Sequence, residues 1–231
     1  MLQVLNGQCH CLTLVAVYET PRSLYLVTEY CRGGNLLEYR EARLLDENTN
    51  TLLLLPPVQV VTRIAGQLLS AVHHCAQHGI IHRDIKAENI MFVHAGPDAA
   101  LRLIDFGSGT LQGLDHDTNE PVVHETYAGS AFYVSPEMYQ RSYTFKTDVW
   151  SAGVVLYVLV AGYPDDDLLQ KAFNTLQSSR CDRIETLPNL PHNHDMPRSF
   201  YSLLEAALTY RHRRRPSAGS LLSESEFLAA F

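Results

Sequence analysis

The chain has 231 residues and a formal net charge of −7. That length suits one large domain or two small ones with a sizeable core. Hydrophobic residues make up 46%, which excludes a disordered chain, and the acidic balance argues against a nucleic-acid or anionic membrane partner. The five cysteines do not make the dense framework of a small secreted domain, so they are expected to be reduced, in a cytoplasmic protein with the nucleus as the alternative. Cys9-His10-Cys11 has no second Cys/His pair at finger spacing and is not read as a zinc site. The N-terminus has neither the basic flank nor the long apolar run of a signal peptide. The most apolar segment, Val149 to Tyr163, falls short of the about 20 residues that span a bilayer and reads as a buried core helix.

Cys11 to Tyr18 and Leu24 to Glu29 are rich in Val, Leu and Tyr and flank Pro21-Arg22-Ser23, the pattern of a hairpin. Asn35 to Leu45 reads as a short helix capped by its own asparagine, and Asp46 to Thr51 as a polar loop. After Pro56-Pro57, Val61, Ile64, Ala65, Leu68, Val72 and Cys75 recur at helical spacing and make one apolar face. Gly79 stops that helix. Ile90 to Val93 and Leu101 to Ile104 read as strands around a turn at Gly96-Pro97. From Asp105 to Glu137 there is little apolar periodicity, and so long a loop in a compact domain is usually functional or mobile. A buried helix ends at Gly162-Tyr163-Pro164. Arg198 to Leu208 and Ala218 to Phe231 read as the last helices.

The densest chemistry lies in Ile80 to Asn89, IIHRDIKAEN, followed by Asp105-Phe106-Gly107. Asp84 is a carboxylate able to take a proton from a hydroxyl, and a loop can bring the Asn89 amide oxygen near the same point. Asp105 opens a turn that ends in Gly107, where the backbone can bend freely. Aspartate and asparagine oxygens suit a hard cation such as Mg²⁺ that sits on substrate phosphates. One base and two metal ligands are the parts for moving a phosphoryl group onto a hydroxyl.

These residues resemble the protein kinase family. Its catalytic loop, H-R-D-x-K-x-x-N, is matched by His82, Arg83, Asp84, Lys86 and Asn89, and its metal motif by Asp105, Phe106 and Gly107. The resemblance implies an α+β, protein-kinase-like fold: an incomplete small β lobe, residues 1–30, and a mainly helical large lobe, residues 31–231. It implies ATP and Mg²⁺ as cofactors, with Asn89 and Asp105 on the metal. Thr28 is then the gatekeeper, the backbone of Glu29 and Cys31 holds adenine, Asn35 stands at the usual ribose-binding position, and Met91 joins the nucleotide-binding residues. Ser130 would bond Asp84 and Lys86. His82 and Phe106 would join Leu2 and Leu14 in a packed column, Asp148 would anchor the catalytic loop, and Glu137 would pair with Arg215. Arg211 to Arg215 is thereby read as structural rather than as a nuclear signal. Asp165-Asp166-Asp167 replaces apolar residues common in the family.

Lys86, with YVSPE and DVWSAGVVLYVLVAGYP, resembles serine/threonine kinases of the calcium/calmodulin-dependent group. Protein substrates are implied. An upstream kinase is also implied, acting at Thr126, where Arg83 could pair with the added phosphate. Glu88 could face a basic substrate side chain. The 231 residues contain no G-x-G-x-x-G and no V-A-I-K-like lysine, so they correspond to about the last four-fifths of a kinase domain by motif order. As it stands the chain is expected to bind Mg·ATP poorly and to be weakly active or inactive. The leading expectation is part of an active kinase. The alternatives are a pseudokinase-like binding or scaffold module and a small-molecule kinase with similar motifs, which the activation segment and Asp148 motif disfavour.

Overall fold

The computed structural model describes residues 1–44, 56–96, 98–113, 122–163 and 196–229. Its elements run α1 (Leu2–Leu5), β1 (Leu14–Thr20), β2 (Ser23–Thr28), α2 (Leu36–Leu44), α3 (Val58–Gln77), β3 (Ile80–Ile81), β4 (Ile90–Phe92), β5 (Leu101–Leu103), β6 (Thr110–Leu111), α4 (Pro136–Tyr139), α5 (Lys146–Ala161), α6 (Arg198–Ala207) and α7 (Ala218–Glu224). The expected loop at 46–51, Pro97, Pro164 and the acidic run 165–167 lie outside the described residues.

β1 and β2 form the expected antiparallel hairpin, tied at its tip where the Ser23 amide donates to Thr20 Oγ1 at 3.0 Å. The first strand begins at Leu14 rather than Cys11. The reason is that residues 10–12 pair elsewhere: Leu12 N–H donates to Leu103 O at 3.0 Å, and Leu103 N–H to His10 O at 2.7 Å. β5 therefore has this segment on one edge and antiparallel β4 on the other.

α2 starts with a reciprocal cap. Asn35 Oδ1 accepts from Glu38 N–H, and Glu38 Oε2 accepts from Asn35 N–H, both at 2.9 Å. On α3, all six residues of the forecast apolar face are buried. The helix ends at His78, and Gly79 takes the left-handed φ of +64°. α5 is buried on nearly every side from Thr147 to Val160, as a helix apolar all round must be. Gly153 allows α6 to approach, because a Cβ there would lie 3.0 Å from that of Ala207. Leu5 and Cys11 share one core with α3, α5, α6 and α7.

The last forecast helix is corrected. It stops at Glu224, Ser225 is extended, and Glu226–Leu228 form a single 3₁₀ turn. The break turns Phe227 inward, with its ring 5.1 Å from that of Phe200. Among the described residues, no helix is long and apolar enough to cross a membrane.

Candidate active site

The loop after α3 and β3 is held from below by α5. The two carboxylate oxygens of Asp148 accept the backbone N–H of His82 and of Arg83, at 2.7 and 3.0 Å. Burial pushes the Asp148 carboxyl up to about 6, against the pull of those two backbone bonds. His82 is buried as a neutral ring. Its Nδ1 accepts from Asp84 N–H at 3.2 Å and its Nε2 donates to Ile104 O at 2.9 Å; burial lowers its pKa. The Phe106 ring stands edge-on, 4.7 Å from the His82 ring. Asp84 is thus carried by a backbone pinned at three successive residues.

The Asp84 carboxylate is surrounded. Oδ1 accepts from the Ser130 amide at 3.0 Å and the Ser130 hydroxyl at 2.9 Å. Oδ2 faces Lys86 Nζ at 3.1 Å and accepts from Asn89 Nδ2 at 3.2 Å. Lys86 Nζ also donates to Ser130 Oγ at 3.0 Å. Burial opposes ionisation of Asp84, but the bonds from Ser130 and Lys86 outweigh it and hold the carboxyl below its ordinary range. Charge is therefore kept on the oxygens that face the cleft.

The backbone ties Asn89 to the residue before Asp105, since Ile104 N–H donates to Asn89 O at 2.9 Å. The Asn89 amide group is occupied by Asp84 O and Oδ2, which turns its Oδ1 away from Asp84. The forecast of a free bend at Gly107 is corrected. The left-handed residue is Asp105, at φ +57°, and its Oδ1 accepts from Gly107 N–H at 3.1 Å. A Cβ at Gly107 would lie a tight 3.0 Å from that oxygen. The Asp105 side chain is exposed. Among the described residues, no three His, Cys, Asp or Glu side chains gather as a metal site. A cation here would rest on one aspartate, one asparagine oxygen and the phosphates it brings, a set that fits Mg²⁺ and not a closed protein cage.

After β2, the Glu29 N–H donates to Thr13 O and the Arg32 N–H to Val93 O, at 3.1 and 3.0 Å. Among the described residues no backbone group takes the Glu29 carbonyl or the Cys31 amide. Thr28, at the end of β2, and Met91, on β4, are half-buried, Met91 pairing with Arg102 and bridging to Asn35. Asn35 caps α2, as expected from its place at the start of that helix, its side-chain oxygen accepting from Glu38 N–H. Leu14 is half-buried and Leu2 packs on the core. Glu137 and Arg215 form a buried two-pronged pair at 2.5 and 3.0 Å, with the Trp150 ring 5.0 Å from the guanidinium.

Arg83, at φ +68°, reaches three segments at once. Nε donates to Ser108 O at 2.6 Å and Nη2 to the adjacent Gly109 O at 3.3 Å, while Nη1 donates to Thr126 Oγ1 at 3.0 Å and to Tyr143 Oη at 3.2 Å. The structure adds three residues to those expected from sequence. Gly129 sits at φ +92°, and a Cβ there would lie 2.3 Å from Arg83 O, so only glycine lets Ser130 reach Asp84. Buried Tyr143 donates to Thr126 O at 2.7 Å, and His124 stacks on its ring at 5.5 Å. Gly129 beside Ser130 was the one sequence signal; Tyr143 and His124 gave none, because their partners lie in other segments.

The protein kinase domain family matches residues 1–227. Calcium-dependent protein kinase 12 of Oryza sativa subsp. japonica is 36% identical over 164 residues, 71% of this chain and 28% of that protein. CDPK-related kinase 4 of Arabidopsis thaliana is 36% identical over 162 residues, 70% of this chain and 25% of that protein. Calcium/calmodulin-dependent serine/threonine-protein kinase 1 of the same rice is 34% identical over 165 residues, covering 70% and 24%. The chain spans about a quarter of the length of these curated relatives. A base loop hung on a buried aspartate, an Asp-Phe-Gly turn beside it and a match along nearly the whole sequence agree: the chain belongs to the protein kinase family.

Proposed function

We propose that residues 31–231 are the large lobe, and residues 1–30 a remnant of the small lobe, of a serine/threonine protein kinase acting on hydroxyls of protein substrates with Mg·ATP. The observation that carries this function is the Asp84 carboxylate, its charged form favoured by Ser130 and Lys86, immobilised and already accepting a serine hydroxyl at 2.9 Å. A substrate hydroxyl in place of Ser130 Oγ would be oriented and relieved of its proton by Asp84. Lys86 brings a compact positive charge to the same oxygens. Asn89 keeps Asp84 from rotating, and its Oδ1, with Asp105, would hold the cation. The Glu29 carbonyl and Cys31 amide would receive adenine beside Thr28. Bound Mg²⁺ would supply neutralisation of phosphate charge during transfer.

The test uses the protein as expressed from its native gene. Asp84→Asn is expected to lower phosphotransfer by about 10²–10⁴-fold and to spare nucleotide binding. Asp105→Asn is expected to lower turnover and weaken the Mg²⁺ dependence of binding. Near-normal turnover in either variant removes that residue from the mechanism.

Control by an upstream kinase at Thr126 is part of the same proposal. Arg83 already holds the Thr126 hydroxyl, and a phosphate there would offer it charge-assisted bonds that order the segment. Thr126→Ala should lower activity strongly, and phosphosite mapping of an active preparation should find phosphate at Thr126. Full activity in that variant places the switch elsewhere.

The alternative is a pseudokinase-like binding or scaffold module. The two functions separate by melting with and without millimolar Mg·ATP. A ligand at 100 times its Kd adds about 2.7 kcal/mol, so a large shift favours the kinase and none favours the module.

A further inference from the structure

One oxygen outside the catalytic loop gathers three donors. Glu29 Oε1 accepts from Thr13 N–H at 2.8 Å, from Thr13 Oγ1–H at 2.6 Å and from Arg102 Nε–H at 2.9 Å. The three residues come from three places. Thr13 lies just before β1, Glu29 just after β2, and Arg102 in the middle of β5. Arg102 also donates from Nη1 to Leu101 O at 3.2 Å, which braces its guanidinium against its own strand. Burial opposes ionisation of Glu29, but the Thr13 and Arg102 bonds prevail and keep the carboxyl below its ordinary range.

The position of Arg102 gives this cluster a reach beyond local packing. Leu101 and Leu103, its neighbours on β5, are fully buried, so the strand is fixed and Arg102 stands on the opposite face. Three residues further on, the same strand delivers Asp105. Glu29 is the residue whose backbone carbonyl is proposed for adenine. One ion pair therefore joins the adenine end of the cleft to the strand that carries the metal-binding end.

Resting on the kinase function proposed above, we infer that Arg102 and Thr13 are positioning residues for the nucleotide: through Glu29 they set the spacing between the hinge and Asp105. A ligand that touches only the hinge feels this spacing little. One that bridges hinge and cation feels it fully, because preorganised spacing is what a two-ended ligand would otherwise have to impose on binding.

The test is isothermal titration of the native-gene protein with Mg·ADP and, separately, with adenosine. Arg102→Gln should weaken Mg·ADP about tenfold and adenosine less than threefold, a difference of about 0.7 kcal/mol or more. Thr13→Val should act in the same direction and less strongly. Adding Glu29→Gln to Arg102→Gln should cost little more than Arg102→Gln alone, because both changes break one link. In turnover, Arg102→Gln should raise KM for ATP far more than it lowers kcat. Equal weakening of both ligands, or an unchanged Mg·ADP affinity, overturns the inference while leaving the kinase function standing. Failure of the unaltered protein to bind Mg·ADP at all overturns both.

Discussion

The β1–β2 hairpin is richer in apolar residues than the catalytic loop, nine of fifteen in 14–28 against four of ten in 80–89, yet the two end in opposite environments. In the hairpin, Val15, Val17, Tyr18, Leu24, Tyr25, Leu26 and Val27 are all exposed, Val15 at 64%. Its order rests on a backbone ladder, and a lone two-stranded ribbon is marginal in water. In the catalytic loop, Ile80, Ile81, His82 and Ile85 are at most 1% exposed; His82 finds partners on other segments in Asp148 and Ile104, and the Asn89 side chain is held by Asp84 within the loop. The lesson is that apolar content does not make a core. Long-range partners do, and here they converge on α3 and α5.

The largest expected effect strikes that convergence. Arg215→Ala would leave Glu137 buried without its guanidinium, at a cost of about 3–5 kcal/mol. Replacing both partners by apolar residues, as Arg215→Met with Glu137→Leu, should recover most of that loss. Chemical denaturation of the three proteins checks it, and an Arg215→Ala protein as stable as the parent would refute the pairing.

The next effect is one of pH. Asp148 has a folded pKa of about 6 against an ordinary 3.8, because of burial. Between those values the folded protein keeps a proton that the unfolded chain has released. Stability should therefore fall by about 3 kcal/mol as pH rises from about 4 to 6 and then level off. Asp84 has the opposite sign. Its carboxyl is lowered by Ser130 and Lys86 despite burial, so its contribution is present at neutral pH and lost on acidification. Urea midpoints measured across this range should show the Asp148 slope in the parent and not in Asp148→Asn.

Gly129→Ala tests the approach of the two segments. A Cβ at φ +92° and 2.3 Å from Arg83 O should cost about 1–3 kcal/mol, relieved in part by moving Ser130 off Asp84. Phosphotransfer should fall further than stability does; an active, unshifted variant would show that Ser130 does not need this geometry. The smallest effect belongs to the hairpin. Tyr25→Thr and Leu26→Lys should change stability by about 0.5 kcal/mol or less and reduce aggregation, measured by light scattering. A large destabilisation would mean that the hairpin is covered in solution.

Local pattern was enough for much of this chain. The periodicity of Val61, Ile64, Ala65, Leu68, Val72 and Cys75 announces α3, Gly79 its end, and the H-R-D-x-K-x-x-N and Asp-Phe-Gly spacings the catalytic loop, because each is written within a few residues of chain. Pairing could be forecast only through the family resemblance, as for Asp148 with the loop and Glu137 with Arg215. The end of α7 at Glu224 was not legible, since nothing local stops it; it breaks because Phe227 must reach Phe200.

The sequence by itself determined which residue types stand ready for phosphoryl transfer and which helix supports them, since helical periodicity and short motifs are encoded by neighbours. Tertiary structure alone decided that the left-handed residue is Asp105 and not Gly107, that Gly129 admits Ser130 to Asp84, and that Thr13, Glu29 and Arg102 share one oxygen. Each of those depends on groups separated along the chain and brought within hydrogen-bonding distance only by packing around α3 and α5, which no local pattern records.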